Sequence, residues 1–134
     1  MDYEYLIEKA KEVRERAYVK YSNFKVGAAL LCKSGKIYTG CNVENASYGA
    51  TICAERVAFT KAISEGEKEF EAIAIVSSGD KIAFPCGICR QFMSEFGMDL
   101  TLIFSDGHTI KTFKLYELLP HAFTEFEAEV KGGS

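Results

Sequence analysis

The residues best able to do chemistry lie in two short stretches, Cys53-Ala54-Glu55-Arg56 and Pro85-Cys86-Gly87-Ile88-Cys89. The second sits where an apolar run ends and a helical pattern begins. Two thiols separated by two residues at a helix start can both face a metal placed just beyond the helix end, where the dipole and free N–H groups favour the thiolate. Pro85 suits this place, just ahead of or at the first helical position, because the N–H it lacks has no helical partner there. Taken alone, the Cys-x-x-Cys pair admits three readings: a zinc site, a thioredoxin-like redox pair and an inert pair.

Cys53 also opens a helical pattern, after the loop Tyr48-Gly49-Ala50-Thr51-Ile52. Residues two apart on a helix point to nearly opposite sides, so Cys53 and Glu55 converge only on a target ahead of the helix end. A zinc between two helix N-termini meets that condition. Cys53, Cys86 and Cys89 would supply three thiolates and leave one tetrahedral position for water, as in catalytic zinc sites. Such a zinc generates hydroxide near neutral pH, and Glu55 is a carboxylate able to shuttle the protons. The alternative is a closed structural site, with a fourth ligand from Cys32, Cys41, His108 or His121. Cys32 and Cys41 fall in strand patterns, where a free cysteine is usually a small buried hydrophobe, and His108 falls in a tight turn.

Three thiolates on a divalent zinc leave a negative centre, which is a poor Lewis acid. Arg56 is the nearest cation, and its five donors suit thiolate sulfur. On spacing alone it reads equally as part of a solvated helix face. Glu55, beside this negative cluster, is expected to have a raised pKa, which suits a group that must also act as an acid.

The elements that must position these residues follow from periodicity. Tyr3, Leu6, Ile7, Ala10, Val13 and Ala17 predict an amphipathic helix over 3–17, followed by an aromatic-rich loop to Phe24. Val26–Lys33 and Lys36–Val43 read as strands joined by a two-residue Ser34-Gly35 turn. The small run Gly27-Ala28-Ala29 implies that something packs closely against the first of them. After a polar loop over 44–52, Cys53–Glu65 reads as a helix stopped by Gly66. Phe70–Ser77 reads as a strand buried on both faces. A helix over about 86–96, a strand over Leu100–Phe104, an Asp106-Gly107 hairpin turn, a strand over Thr109–Phe113 and a short helix over Leu115–Leu119 complete the order. The expectation is an α/β fold of three α-β-α layers, a mixed five-stranded sheet with helices on both faces.

The chain has 134 residues, 48% of them hydrophobic and 26% charged, with a net charge of −3. That length bounds the reading at one domain over 1–134, with a mobile tail over about 128–134. The negative charge excludes a strongly basic nucleic-acid binder, and no run of about 18 apolar residues suggests a membrane span. Five cysteines, an odd number, with an acidic amphipathic start rather than a secretory signal, point to a reducing, cytoplasmic setting.

From Ala17 to Phe123 the chain resembles the short cytidine deaminases. The resemblance rests on residues 21–29 (Tyr21-Ser22-Asn23-Phe24-Lys25-Val26-Gly27-Ala28-Ala29), 40–48 (Gly40-Cys41-Asn42-Val43-Glu44-Asn45-Ala46-Ser47-Tyr48), Cys53-Ala54-Glu55-Arg56, Pro85-Cys86-Gly87-Ile88-Cys89-Arg90-Gln91 and Glu117-Leu118-Leu119-Pro120. Their order matches zinc deaminases with a Cys-x-Glu element followed by Pro-Cys-x-x-Cys. The resemblance implies one zinc on Cys53, Cys86 and Cys89, water activated there for attack at C4 of cytosine, and Glu55 as the proton carrier. It implies that Asn42 and Glu44 hold the sugar 3′-hydroxyl and that Phe24 walls the base pocket. The Ala54 N–H and the Phe84 carbonyl would read the base edge. Tyr48 and Phe123 match inter-subunit positions of a homotetramer with shared sites, with Phe126 as the competing aromatic. Without the resemblance, Asn42 and Glu44 read as capping or solvated residues, and Phe24 as core.

The implied activity is conversion of free cytidine and 2′-deoxycytidine to uridine and 2′-deoxyuridine in pyrimidine salvage. A structural zinc module and a thiol–disulfide oxidoreductase are the readings from other classes. Blasticidin-type deaminases share the zinc motifs, but Asn42 and Glu44 favour a nucleoside.

Overall fold

The computed structural model of the protein describes residues 2–79 and 82–124. Helix α1 (Tyr3–Arg14) starts at Asp2, whose side chain accepts the Tyr5 N–H at 3.1 Å and so occupies one of the donors that a first turn leaves free. Its period buries Leu6, Ile7, Ala10 and Val13. The helix stops three residues short of the expected Ala17. Beyond Arg14 the chain tightens into i→i+3 bonds, Arg16 N to Val13 O at 2.9 Å and Ala17 N to Arg14 O at 3.1 Å.

Strands β1 (Val26–Cys32), β2 (Ile37–Cys41), β3 (Phe70–Ser77), β4 (Thr101–Ser105) and β5 (Ile110–Lys114) form one sheet in the order β2-β1-β3-β4-β5. Helices α2 (Ala54–Ser64), α3 (Gly87–Ser94) and α4 (Leu115–Leu118) complete the described fold. Among the described strands only β3 and β4 run parallel to each other, and α3 lies in the crossover between them. The sheet is mixed, as expected.

Alternation along the strands sends side chains to opposite faces. Ala29, Ala72, Ala74, Val76 and Ile103 face α1, whereas Ala28, Leu30, Ile73, Ile75, Leu102 and Phe104 face α2 and α3. The result is the expected three layers, and β3 is buried except at Glu71.

Two glycines set how closely the helices approach. A Cβ on Gly27 would overlap the Ala10 carbonyl, and one on Gly40 would lie 2.5 Å from both the Ala54 carbonyl and the Ala58 nitrogen. Gly40 therefore fixes the depth of the first turn of α2, the turn that carries Glu55. The lateral spacing of α2 and α3 is set by aromatic rings: Phe59 stacks on Phe96 at 5.6 Å between centroids and meets Phe92 edge-on at 6.2 Å.

The two hairpin turns are longer than expected. The first spans three residues, 33–35, with Gly35 at φ 95° and both the Gly35 N to Cys32 O and Cys32 N to Lys36 O bonds at 2.9 Å. The second spans 106–109, because Asp106 Oδ1 accepts the N–H groups of His108 and Thr109 at 2.8 Å and holds them out of the ladder. Phe126 and the 128–134 tail lie outside the described residues.

Candidate active site

Cys53 and Cys86 are the N-caps of α2 and α3 rather than their first helical residues. Their extended backbone throws both side chains ahead of the helix ends, and Cys86 Sγ accepts the Cys89 N–H at 3.4 Å. Cys53 Sγ and Cys86 Sγ stand 3.9 Å apart, and all three sulfurs lie within 4.8 Å of one another. Zinc–sulfur bonds of ~2.3 Å at tetrahedral angles put two sulfurs about 3.8 Å apart. The trio therefore fits zinc both by donor type and by spacing. Among the described residues no histidine, carboxylate or further cysteine joins it. Cys32 lies at the far end of β1, and His108 lies in the β4–β5 loop.

The Cys53 thiol is held well below its ordinary value. A hydrogen bond from Cys89 is the main cause, with Arg56 and Cys86 adding to it against the opposing effect of burial. Cys89 is pushed up by the same hydrogen bond and by burial. Glu55, the second residue of α2, is 4% exposed. Its carboxyl is pushed up to about 7, by burial first and by the Cys53 charge second. The direction is the expected one, but the larger cause is burial rather than the thiolates. Arg56 turns toward the site instead of into solvent: Nη2 donates to the Thr51 carbonyl at 3.2 Å and to Cys53 Sγ at 3.8 Å. Its Nε is buried without a hydrogen-bond partner among the described residues.

A cavity of about 230 Å³ opens on Cys53, Cys86 and Glu55, walled by Phe24, Val26, Ile75 and Phe84 and touched by Asn42, Ala54 and Thr51. It is too small for a drug-sized ligand, whose pockets run from about 300 Å³ upward. Phe84 is braced by Phe104 and Phe113 at 5.0 and 5.5 Å between centroids. Asn42 ties the aromatic loop to the end of β2: Oδ1 accepts the Val26 N–H and Nδ2 donates to the Phe24 carbonyl, both at 2.9 Å.

Glu44 and Tyr48 line an adjoining cleft of about 430 Å³ with Tyr21, Ser22, Asn45 and Thr51, and Thr51 borders both spaces. Tyr48 is 81% exposed and Phe123 65%. Phe123 is absent from the walls of both spaces, and its carbonyl accepts Gln91 Nε2 at 2.6 Å. Of the expected substrate residues, Phe24, Asn42, Ala54 and Phe84 thus meet at the thiols, Glu44 and Tyr48 stand next door, and Phe123 stands apart.

Three residues at the site carried no role in the sequence reading. Ser22 contacts Glu44, Thr51 anchors Arg56, and Arg90 donates from Nε to the Pro85 carbonyl and from Nη1 to the Leu118 carbonyl, both at 2.8 Å. The turn residues Ser22-Asn23 were the available signal for the first.

Three thiols at two helix tips beside a buried carboxylate, on a three-layer α/β scaffold, make a site that fits a zinc-dependent hydrolytic enzyme. Residues 1–105 match the cytidine and deoxycytidylate deaminase zinc-binding region. The chain is 48% identical over 128 residues to a cytidine deaminase of Sporosarcina psychrophila, covering 93% of each. It is 48% identical over 126 residues to one of Halalkalibacterium halodurans, covering 92% of this chain and 96% of the other. The crystal structure of cytidine deaminase from Burkholderia pseudomallei superposes with a TM-score of 0.86 at 46% identity, covering 92% of this chain and all of that one. The chain belongs to the cytidine and deoxycytidylate deaminase family, and it is a zinc-binding deaminase.

Proposed function

We propose that the chain, acting as one domain, hydrolyses free cytidine and 2′-deoxycytidine to uridine and 2′-deoxyuridine with release of ammonia, as a step of pyrimidine salvage. The observation that carries this reading is Glu55, a buried carboxyl that lines, with Cys53 and Cys86, a cavity with an aromatic wall. Cys53, Cys86 and Cys89 hold the zinc, which when bound supplies the Lewis acidity that makes water a nucleophile near neutral pH.

The rest is done by the chain's own groups. Phe24 and Phe84 flank the base, and the Ala54 N–H and Phe84 carbonyl read its edge. Asn42 and Glu44 take the sugar 3′-hydroxyl. Glu55 accepts the proton of the attacking water and delivers it to N3 of the ring. It then carries the proton of the hydroxyl added at C4 to the exocyclic amine, so that the C4–N bond breaks, C4 becomes the carbonyl of the product and ammonia leaves. A carboxyl near 7 is suited to accept and return protons at neutral pH. Arg56 offsets the thiolate charge.

Tyr48, exposed beside the site, and Phe123 supply contacts to further copies in a homotetramer with shared sites, with Phe126 the alternative for the second. Five free thiols suit a reducing cytoplasm. Among the described residues no helix is long and apolar enough to cross a membrane.

Loss of cytidine absorbance, paired with measured ammonia, tests the reading. Equimolar ammonia and uridine are expected. Zinc-loaded protein that leaves both nucleosides unchanged overturns it.

A further inference from the structure

We infer that Ser22 is a positioning residue that locks the Glu44 carboxylate to the Phe24 backbone, so that the sugar and base ends of a nucleoside are read at one set separation. The inference rests on the proposed contact between Glu44 and the 3′-hydroxyl.

Its ground is a closed hydrogen-bond set. Glu44 Oε1 accepts the N–H groups of Tyr21 at 3.0 Å and Ser22 at 3.1 Å, and Glu44 Oε2 accepts the Ser22 hydroxyl. The same hydroxyl oxygen accepts the Phe24 N–H at 3.0 Å. Between the two, Asn23 turns the chain at φ 59°, a region that asparagine tolerates better than most residues. One Ser22 oxygen therefore joins the wall of the thiol cavity to the carboxylate of the adjoining cleft.

A carboxylate offers about four acceptor positions. Three are taken by these donors, and the one left is on Oε2, the oxygen whose direction Ser22 sets. A ligand hydroxyl donating there meets an acceptor already aimed. Removing the Ser22 hydroxyl leaves Oε2 with no donor from the loop and frees it to swing about the two bonds on Oε1. The hydrogen bond from Ser22 also lowers the Glu44 pKa, which keeps the acceptor charged.

The test compares Ser22→Ala and Ser22→Thr with the unaltered enzyme on cytidine and on 3′-deoxycytidine, which lacks the hydroxyl. The unaltered enzyme is expected to prefer cytidine. Ser22→Ala should raise KM for cytidine about tenfold, the scale of one hydrogen bond to a charged group, with kcat little changed. On 3′-deoxycytidine the same variant should lose clearly less, because only the Phe24 N–H contact is then missing, and Ser22→Thr should restore the preference for cytidine. An equal loss on both substrates, or no change on either, overturns the inference. If the unaltered enzyme itself treats both nucleosides alike, the Glu44 contact fails and the inference falls with it. Turnover of neither nucleoside overturns the proposed activity and, with it, the inference.

Discussion

Cys53 Sγ and Cys86 Sγ, on residues that cap two different helices, stand 3.9 Å apart. The helices are held to that spacing from below by Phe59, Phe92 and Phe96, and α2 is seated by the bare Gly40. The metal centre is thus a product of core packing, and the loops before each cap need only deliver the sulfurs. Side chains that act on the metal's charge can be separated experimentally from side chains that support its frame.

Glu55→Gln should keep one zinc per chain while kcat falls at least about 10²-fold, the low end for loss of a general acid–base group. Its thermal midpoint should not fall, because a neutral amide replaces a carboxyl whose ionisation burial opposes. Metal analysis beside steady-state kinetics checks both. Full activity in this variant would remove Glu55 from the mechanism.

Arg56→Ala should release zinc to a chelating dye about tenfold faster, the lower range for loss of a partner outside the ligand set. It should also raise the apparent pKa of the basic limb of the activity profile, because thiolate charge goes less compensated. Arg56→Lys should fall between, keeping the charge but losing the planar donors. Unchanged release and an unchanged profile would show that the guanidinium does not act on the thiols.

Much of this site was legible in the sequence, because thiol, carboxylate and proline types at fixed spacings next to helix starts constrain the chemistry directly. Periodicity sufficed for the three layers and for the buried β3. The misses have local causes. Asp106 side-chain bonds lengthen a turn that dipeptide propensity makes short, and the N-cap geometry of Cys53 and Cys86 differs from helical entry by one residue. Ser22 and Glu44 are 22 positions apart, and only the folded loop brings them together. Burial rather than neighbouring charge dominates at Glu55 because its depth depends on Gly40, a contact that no local pattern reveals.

Arg90→Ala should lower unfolding free energy by about 2 kcal/mol, since one guanidinium serves the carbonyls of Pro85 and Leu118 together. Because Pro85 precedes the Cys86 ligand, zinc release should quicken as well. A urea titration and the dye assay report the two effects. Loss of neither would assign Arg90 to the surface.

Cys32, fully buried in β1, has a thiol pushed up to about 11 by burial first and Glu67 second. A folded-state pKa above the unfolded value contributes stability below the unfolded pKa and loses it as pH rises through the folded one. The unaltered protein should therefore lose stability between about pH 9 and 11 more steeply than Cys32→Ala. Urea midpoints across that range test this, and parallel curves would contradict it.

Zinc-edge X-ray absorption on the zinc-loaded protein tests the central claim most directly. One zinc per chain with three sulfurs at ~2.3 Å and one oxygen is the predicted shell. A shell of four sulfurs, a shell containing imidazole, or a failure to retain zinc would contradict it.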